Sequence, residues 1–426
     1  MRFLSAEREI RQLLLASFNA GVAAVQAKNC LPPHLPADQP AGRTAIFALG
    51  KAAGYMAQVA LEHIDVHQAL VVTRHGHMPP DWTVPPFAQV IEAGHPIPDN
   101  ASLIAGEAAM SMARSLGKGD RLIALISGGG SALMAAPSDG ISFAAKQAIN
   151  RALLASGAPI ADMNRVRAAL SKVKGGGLAS LAYPAEIFTY VISDVPGDNP
   201  AFVASGPTCP LPDGEDALSI LTRWSVVVQP KVAQLLARAT SSGQATHQTT
   251  VCARAFDALQ AMAHLAEAAG YDPIILGDDI EGVAEDIACQ HAKLAIDCRM
   301  KGRRVALISG GETSVTLSPG KGLGGRNLTY ALALARELNG TTGISALAAD
   351  SDGIDGTSDI AGAIVLPDTL VRANQIGLSA TQMLSEQNSA LFFDRLGDSI
   401  RTGPTGTNVN DLRIVLVDRN SFVTPT

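Results

Sequence analysis

A short stretch that occurs twice constrains the fold of this chain more than any other feature. Residues Arg121–Met134 read RLIALISGGGSALM: an apolar run typical of a strand buried on both faces, a glycine turn, and the start of a helix. The core of this stretch, LISGG at Leu125–Gly129, recurs at Leu307–Gly311. A glycine turn between a strand and a helix exposes backbone N–H groups to an anion. The repetition therefore predicts two lobes, each with an anion-binding turn.

The composition is that of an ordered globular protein with two or three domains. The chain has 426 residues, of which 47% are hydrophobic and 17% charged. A net charge of −6 and an aromatic content of 4% disfavour a nucleic-acid-binding protein. The N-terminus predicts an amphipathic helix rather than a signal peptide, and no apolar run is long enough to cross a membrane. Five cysteines without a CxxC pair indicate reduced thiols and a cytoplasmic location.

The alternation of predicted strands and helices is interrupted once, between residues 210 and 250. A proline-rich piece and the polar run Thr240–Thr250 separate two series of alternating strands and helices. We therefore expect an α/β protein with an N-terminal domain over 1–240 and a C-terminal α/β domain over 245–426. The N-terminal domain should contain a mostly parallel sheet.

In the N-terminal half, polar side chains follow the predicted strands directly. Lys51, His95 and Asp194 each come just after a strand-like run. A lysine there suits the crevice at the carboxyl edge of a parallel sheet, a histidine suits a hydrogen bond to substrate, and a carboxylate suits a Mg²⁺ ligand or a general base. A solvated lysine and an aspartate that caps its own turn remain the alternative interpretations.

A cluster of positive charge follows the first glycine turn. Four cations, Arg165, Arg167, Lys172 and Lys174, precede a triple glycine that opens a helix. Glycines combined with cations are typical of a cradle for phosphate or carboxylate. A metal site at the three histidines of residues 75–95 is disfavoured, because no carboxylate or fourth ligand has useful spacing.

The C-terminal half contains a second glycine-rich run, SPGKGLGGRNL at 318–328, before a helix predicted over 329–338. Arg326 lies at the start of this helix, where it suits a phosphate. The run contains a formal GxGxxG at Gly320, Gly322 and Gly325, which is a weak match to a dinucleotide turn.

Two polar loops follow that helix. The segment Asp350–Gly356, DSDGIDG, places three carboxylates within six residues. Carboxylates cannot all be buried unpaired, so a divalent cation or a cationic neighbour should hold them. The loop Gly403–Leu412, GPTGTNVNDL, precedes the last predicted strand and can face either a ligand or solvent. Glycine–anion turns, cations and carboxylates at strand ends together indicate phosphoryl transfer or phosphate binding.

Seven motifs, in order along the chain, resemble those of the glycerate 2-kinase family, whose C-terminal part is known as the MOFRL domain. The resemblance covers about residues 7–418, with the MOFRL region over about 304–418. The motifs are SGGGSAL at Ser127, VKGGGLA at Val173, SDVPGD at Ser193, SGGE at Ser309, GGRN at Gly324, DSDGIDG at Asp350 and GPTGTNVNDL at Gly403.

The resemblance implies transfer of the ATP γ-phosphate to the 2-hydroxyl of D-glycerate, with Mg²⁺, in a cleft between a Rossmann-like lobe and a C-terminal lobe. The catalytic lysine and arginine of the family correspond to Lys51 and Arg326. On chemical grounds we add Asp194 as base or metal ligand, with Asp352 as a second metal candidate. The further substrate- or phosphate-binding candidates are Ser127, Gly128, Gly129, Gly130, Ser131, His95, Lys174, Gly310, Gly311, Glu312, Gly324, Gly325, Asn327, Asp355, Asn408 and Asn410.

Two other functions remain open at this stage. An NAD(P)H-dependent hydroxypyruvate reductase would use the formal GxGxxG, although an acidic residue for the ribose is not well placed: Glu337 comes too early and Asp350 somewhat late. A non-catalytic sensor of sugar phosphates or nucleotides would bind ligand without turnover. In each case we expect small-molecule ligands rather than nucleic acid or membrane, and a homodimer is compatible with the sequence.

Overall fold

The computed structural model describes residues 2–237, 247–315, 322–356 and 358–419. Its contacts divide the chain into two compact units. The central unit is Cys30–Cys252, and the terminal unit combines Met1–Asn29 with Ala253–Thr426. Both units are built from strands that alternate with helices, as the sequence predicts. None of the described helices combines the length and apolar character that a membrane span requires.

The central unit contains a six-stranded sheet in the order β3-β2-β1-β4-β5-β6. The strands are β1 (Thr44–Leu49), β2 (Gln68–Arg74), β3 (Ala88–Ala93), β4 (Arg121–Ile126), β5 (Glu186–Ile192) and β6 (His247–Ala253). The first five strands pair in parallel. Strands β1 and β4 are buried along their whole length, which explains their uninterrupted apolar sequences.

The strand order places a topological switch point between β1 and β4. From β1 the chain continues to β2 and β3 on one side, whereas β4 and β5 lie on the other. Loops that leave the carboxyl ends of β1 and β4 therefore diverge and open a crevice, the usual ligand position in such sheets. Lys51 follows β1, and the turn Ser127–Ser131 follows β4, so both border this point.

Helices surround the central sheet and form a second cluster of their own. The helices are Ala53–Leu61, Asn100–Arg114, Gly130–Leu133, Phe143–Ser156, Ile160–Ala169, Gly177–Ala182, Ala217–Arg223 and Pro230–Leu236, with 3-10 turns at Pro32–His34, Pro196–Asp198 and Val203–Ser205. Leu153, Val166 and Ile220 belong to a hydrophobic cluster formed by the later helices, separate from the core of the sheet. One face of the Phe143–Ser156 helix is thereby buried.

The terminal unit contains a mixed sheet in the order β13-β12-β11-β14-β9-β7. Its strands are β7 (Asp272–Gly277), β9 (Val305–Ser309), β11 (Ile344–Asp350), β12 (Gly362–Val365), β13 (Ser399–Ile400) and β14 (Asp411–Val417), while β8 (Gly282–Val283) and β10 (Thr313–Ser314) form a small parallel pair. Within the six-stranded sheet as described, β7 and β9 pair in parallel, and the other pairs are antiparallel. The last strand, β14, lies between β11 and β9, within the second sheet.

The N-terminal helix belongs to the terminal unit. The helices of this unit are Arg2–Ala24, Ala255–Ala268, Ala284–Met300, Arg326–Leu338, Thr369–Gln375, Ala380–Ser385 and Ser389–Leu396, and the short helix Ala27–Cys30 spans the boundary in sequence. The Arg2–Ala24 helix approaches the Ala255–Ala268 helix so closely that a Cβ at Gly21 would lie 3.0 Å from Met262 Cγ. This packing groups residues 1–29 with the C-terminal half and differs from the predicted domain of 1–240.

Other differences from the predicted elements lie between and after the regular strands. The polar run predicted as a domain junction contains β6, which lies beside β5 at the edge of the sheet. Residues 238–246 lie outside the described residues, as do Gly320 and most of the run 315–317, whose sequence predicts a strand. Apolar runs predict strands over 44–49, 121–126, 186–192 and 305–309, and β1, β4, β5 and β9 have these bounds.

Candidate active site

The turn that carries Lys51 is held by the turn that follows β4. Ala52 N donates to Ser127 Oγ at 3.0 Å, and Lys51 N donates to Gly128 O at 2.9 Å. Gly50 has a φ of +126°, and a Cβ there would overlap Ser127 Oγ. Ser127 N donates to Leu49 O. Ser127 therefore helps to position Lys51, and its predicted contact with an anion stays a prediction.

Gly129 brings Lys51 and His95 together. Its φ is +80°, and a Cβ at this position would lie 3.1 Å from Lys51 Cγ and 3.3 Å from His95 Nε2. The next residue, Gly130, has a packing role, since a Cβ there would press on Leu49 and Ala204. Three residues that the sequence predicts separately thus meet at one turn.

We expect Gly129→Ala to lower kcat/KM about tenfold, because a Cβ would displace Lys51 and His95 and small misplacements at a reacting centre are costly. Steady-state kinetics and thermal unfolding measure the effect. Gly377→Ala is the matched control, because Gly377 has a similar φ of +74° and nothing within 4 Å of the added Cβ. Equal losses of activity in the two variants would exclude a specific role for Gly129.

A cavity of about 420 Å³ opens beside this turn, within the central unit. The Phe143–Ser156 helix contributes one face to it, with residues spaced by three and four positions. The lining residues are His95, Pro96, Ile97, Pro98, Gly129, Ser131, Ala132, Met134, Ala135, Phe143, Lys146, Gln147, Asn150, Arg151, Leu154, Arg167 and Lys174. Among these described residues, none is an aspartate or a glutamate.

Lys174 is buried and bound to the glycine turn. Its Nζ donates to Ser131 O at 2.8 Å and to Ser131 Oγ at 2.6 Å. Ser131 Oγ lies 2.9 Å from Ser205 Oγ, which in turn donates to Asn164 Oδ1. Ala204 and Ser205 both have a positive φ, a backbone conformation that L side chains rarely adopt and that clusters at functional sites. Neither Ala204 nor Ser205 was among the residues predicted from the sequence.

The positive charges of the cavity lower one another's pKa. Burial, together with the charge of Arg167, lowers the pKa of Lys146 to about 8. Burial lowers the pKa of Lys174 well below its ordinary value, and the charges of Lys146 and Arg167 add to this effect. Burial likewise lowers the pKa of Arg167. A site with these properties favours an anionic ligand, because the ligand's charge would offset this repulsion.

Only two of the four cations that the sequence clusters together reach the cavity. Arg167 and Lys174 line it, whereas Lys172 pairs with Asp139 and Arg165 donates to Asp213 O. Lys146 was not among the residues predicted from the sequence, although the sequence of residues 143–156 predicts the helix that carries it. The available signal was the helical spacing of Lys146, Asn150 and Leu154.

Asp194 lies just after β5, the neighbour of β4, at the same edge of the sheet as the glycine turn. It is half-buried, and its role as base or metal ligand stays a prediction. Within the described part of the chain, no group of three or more His, Cys, Asp or Glu side chains can hold a metal ion. His75 contacts Asp99 instead, at 3.4 Å.

In the terminal unit, the buried carboxylate of Asp411 is the centre of a polar network. It accepts hydrogen bonds from Arg326 Nε at 2.6 Å, from Asn327 Nδ2 at 2.7 Å and from Thr313 N at 3.1 Å, and it pairs with Arg413. Burial alone would raise the pKa of Asp411, but Arg326 and Arg413 hold it below its ordinary value. The sequence analysis included Asp411 in a loop motif without assigning it a role.

Arg326 is held by three carboxylates of the same unit. Besides Asp411, its Nη2 donates to Asp350 at 2.9 Å and its Nη1 to Glu312 at 2.5 Å. Burial alone would lower the pKa of Arg326, but the charges of Asp411, Asp350 and Glu312 raise it well above its ordinary value. Arg326 is thus the cationic neighbour that the sequence analysis expected for the DSDGIDG carboxylates.

The start of the Arg326–Leu338 helix is capped by Asp355. The carboxylate of Asp355 accepts from Asn327 N at 3.1 Å and from Leu328 N at 2.9 Å. Burial raises the pKa of Asp355 to about 6, although both N–H groups favour the charged form. A Cβ at Gly325 would overlap this carboxylate. The N-terminus of the Arg326–Leu338 helix, which was predicted to bind phosphate, is therefore occupied by the Asp355 side chain. In this structure Gly325, Asn327 and Asp355 take part in capping the helix, whereas substrate binding was predicted for them.

The other glycines and polar residues predicted here also make contacts inside the terminal unit. A Cβ at Gly311 would overlap the backbone of Ile280, and one at Gly324 would overlap Ser389 Oγ. Gly310 N donates to Gly277 O, and Asp352 accepts from Ile354 N at 2.9 Å. Asn410 O accepts from Ser351 N, and Asn408 is buried in the same loop. The second LISGG turn thus serves packing, unlike the first.

Two family models match successive parts of this chain. Residues 13–237 match the family model described as Domain of unknown function (DUF4147), and residues 305–411 match the MOFRL family. The D-glycerate 2-kinase of Thermotoga maritima is 34% identical over 88% of this chain and 91% of its own length. The chain belongs to the glycerate 2-kinase family.

A solved structure and further relatives extend this assignment of the family. The crystal structure of glycerate kinase from Thermotoga maritima matches 96% of this chain and 100% of its own, with a TM-score of 0.85 and 32% identity. A protein of Agrobacterium vitis, named putative hydroxypyruvate reductase, is 44% identical over 88% of this chain and its own full length. Two activities are therefore named within this glycerate 2-kinase family.

Proposed function

We propose that the protein is a glycerate 2-kinase that transfers the γ-phosphate of ATP to the 2-hydroxyl of D-glycerate. The products are 2-phosphoglycerate and ADP. The observation that carries this proposal is the cavity lined by four cations, Lys146, Arg151, Arg167 and Lys174, and by no acidic residue among those described, beside the Lys51 turn at the switch point of the sheet. Phosphoryl transfer depends mostly on positioning and charge neutralisation, which such a site supplies.

Three parts of the central unit have roles in the proposed reaction: Lys51, the Gly129–Ser131 turn and Asp194. Lys51 neutralises charge on the transferring phosphoryl group, and the Gly129–Ser131 turn offers N–H groups to phosphate oxygens. Asp194 accepts the proton of the 2-hydroxyl of glycerate while the oxygen of that hydroxyl forms the new bond to the γ-phosphorus. The bond from the γ-phosphorus to the bridging oxygen breaks, and ADP leaves with the electron pair.

For Arg326 we propose a substrate contact that replaces Glu312. Asp411 and Asp350 are almost fully buried, so they keep the guanidinium in place, whereas the side chain of Glu312 is 56% exposed. An exposed ion pair is weak, and an anionic substrate can therefore exchange with Glu312 at modest cost.

A Mg²⁺ ion fits the central unit only as a partner of the nucleotide. This ion is usually held by one or two carboxylates together with substrate phosphates, and it neutralises phosphate charge when bound. Asp194, half-buried at the carboxyl edge, can supply one carboxylate. Asp352 is less suited, because its Oδ1 already accepts from Ile354 N.

The test is ADP release from ATP, Mg²⁺ and D-glycerate, followed by identification of the phosphorylated product. We expect ADP and 2-phosphoglycerate in equal amounts. Formation of 3-phosphoglycerate would contradict the position of transfer, and absence of ADP release would contradict the kinase activity.

The alternative, hydroxypyruvate reductase, is favoured only by the names of two relatives. A dinucleotide turn at Gly320–Gly325 would need free N–H groups at the following helix, and Asp355 already accepts those of Asn327 and Leu328. Consumption of NADH with hydroxypyruvate would establish the reductase instead. Binding of ATP or glycerate without any turnover would indicate a sensor.

A further inference from the structure

We propose that the cavity of the central unit binds the adenine nucleotide, with its phosphates at Lys146, Arg167 and Lys174 and its base at Ile97 and Leu154. This assignment rests on the proposed kinase function and says which of the two substrates the cavity takes. Glycerate is expected on the far side of the glycine turn, toward Lys51.

The charge of the cavity matches a polyphosphate better than a carboxylic acid. Lys146, Arg151, Arg167 and Lys174 all line this one cavity, and no acidic residue lines it in the described structure. The single charge of glycerate would leave most of this positive charge unbalanced. The phosphates of a nucleotide carry several negative charges and can balance these cations together.

The size and shape of the cavity also suit a nucleotide. A volume of about 420 Å³ lies in the range of roughly 300–1,000 Å³ typical of sites for drug-sized ligands, whereas a three-carbon acid would fill only a small part of it. Lys146 and Lys174 are 4% and 5% exposed, but Ile97 and Leu154 are 73% and 59% exposed. One end of the cavity, at Lys146 and Lys174, is thus buried and cationic, and the other, at Ile97 and Leu154, is open and apolar. These two ends suit a ligand with a charged end and a flat apolar end.

Two buried polar atoms in the cavity have no hydrogen-bond partner among the described residues. Lys146 Nζ and Asn150 Oδ1 are both without a hydrogen bond, and buried groups of this kind are rarely left unsatisfied. They lie four residues apart on the same face of the Phe143–Ser156 helix, so one ligand can reach both. A phosphate oxygen can accept from Lys146, and the amino group of adenine can donate to Asn150.

The contacts of the glycine turn give the direction of the phosphate chain. Lys174 donates to Ser131, and three residues before Ser131 the carbonyl oxygen of Gly128 accepts from Lys51 N. Phosphates that start at Lys174 and follow the turn therefore end beside Lys51. This places the terminal phosphate at the residue that the proposed reaction uses for transfer.

Calorimetric binding of ADP to the full chain tests the assignment, since ADP binds without turnover. We expect Lys146→Met to raise the Kd of ADP about tenfold or more, as loss of a charge-assisted hydrogen bond does, while the KM of D-glycerate changes less than about twofold. Lys172→Met is the matched control, because it removes the same charge from the surface pair with Asp139 and should leave both values unchanged.

A second variant tests the position of the adenine base independently of that of the phosphates. Leu154→Ala removes an exposed apolar side chain, so it should fold normally, and it should weaken ADP several-fold while leaving binding of inorganic pyrophosphate unchanged. Equal weakening of ADP and pyrophosphate, or no change in either, would overturn the placement of the base.

The two hypotheses fail in different ways. If Lys146→Met raises the KM of glycerate and leaves the Kd of ADP unchanged, the cavity binds glycerate and the nucleotide assignment is wrong, although the kinase function stands. If the wild-type chain neither binds ADP nor releases it from ATP with D-glycerate, the proposed function itself fails.

Discussion

Lys51→Ala is expected to lower kcat/KM for D-glycerate phosphorylation by about 100-fold or more. Removal of one preorganised group that stabilises charge in a transition state usually has an effect of this size. Lys51 is well preorganised, because its own N–H is bound to Gly128 O and the next N–H to Ser127 Oγ. The measurement is steady-state ADP release, with thermal unfolding to check the fold.

Lys118→Ala provides the comparison for this variant. Lys118 is exposed and lies before β4, at the opposite edge of the same sheet, so its removal should leave kcat/KM unchanged. A Lys51→Ala enzyme with a rate near that of wild type would remove Lys51 from the mechanism. Equal losses in both variants would point to a general effect of charge.

Asp411→Ala is expected to destabilise the terminal unit by about 3–5 kcal/mol, the usual cost of breaking a buried ion pair by removing one partner. Arg326 and Arg413 would lose their shared carboxylate, and the N–H of Thr313 and the amide of Asn327 would lose their acceptor. Denaturant unfolding, followed by hydrogen exchange of β9, β11 and β14, measures this loss.

Glu312→Ala is the matched change for Asp411→Ala. Glu312 also pairs with Arg326, but its side chain is half-exposed, and such pairs contribute about 0–1 kcal/mol. The two variants should therefore differ by several kcal/mol. Similar stability for both would mean that Asp411 is not the centre of the network.

Local sequence was sufficient to predict the strands of both sheets where they are buried on both faces. β1, β4, β5 and β9 read as short apolar runs that end at glycine or polar residues, and these patterns determine their bounds. The elements between β12 and β13 were not predicted, because the three helices there are short and their apolar residues make contacts distant in sequence.

The candidate site was only partly predictable, for a physical reason that the two LISGG turns illustrate. The first turn lies beside Lys51 and a cavity, whereas the second packs against Ile280 and supports Asp411. Glycine is required in both, because a side chain would collide with neighbouring atoms. The sequence shows a glycine in each turn but does not show which residues pack against it. Lys146 was not predicted for the same reason, since the sequence does not show which residues surround it.

The arrangement of the terminal unit has a consequence for the order in which the chain folds during synthesis. Residues 30–252 can fold as soon as they leave the ribosome, since their sheet is complete by β6. The first helix must wait for the Ala255–Ala268 helix, and β11 and β9 must wait for β14, which is inserted between them last. The apolar face of the first helix therefore remains exposed to solvent through more than half of translation. We expect chaperones to bind this face during that time.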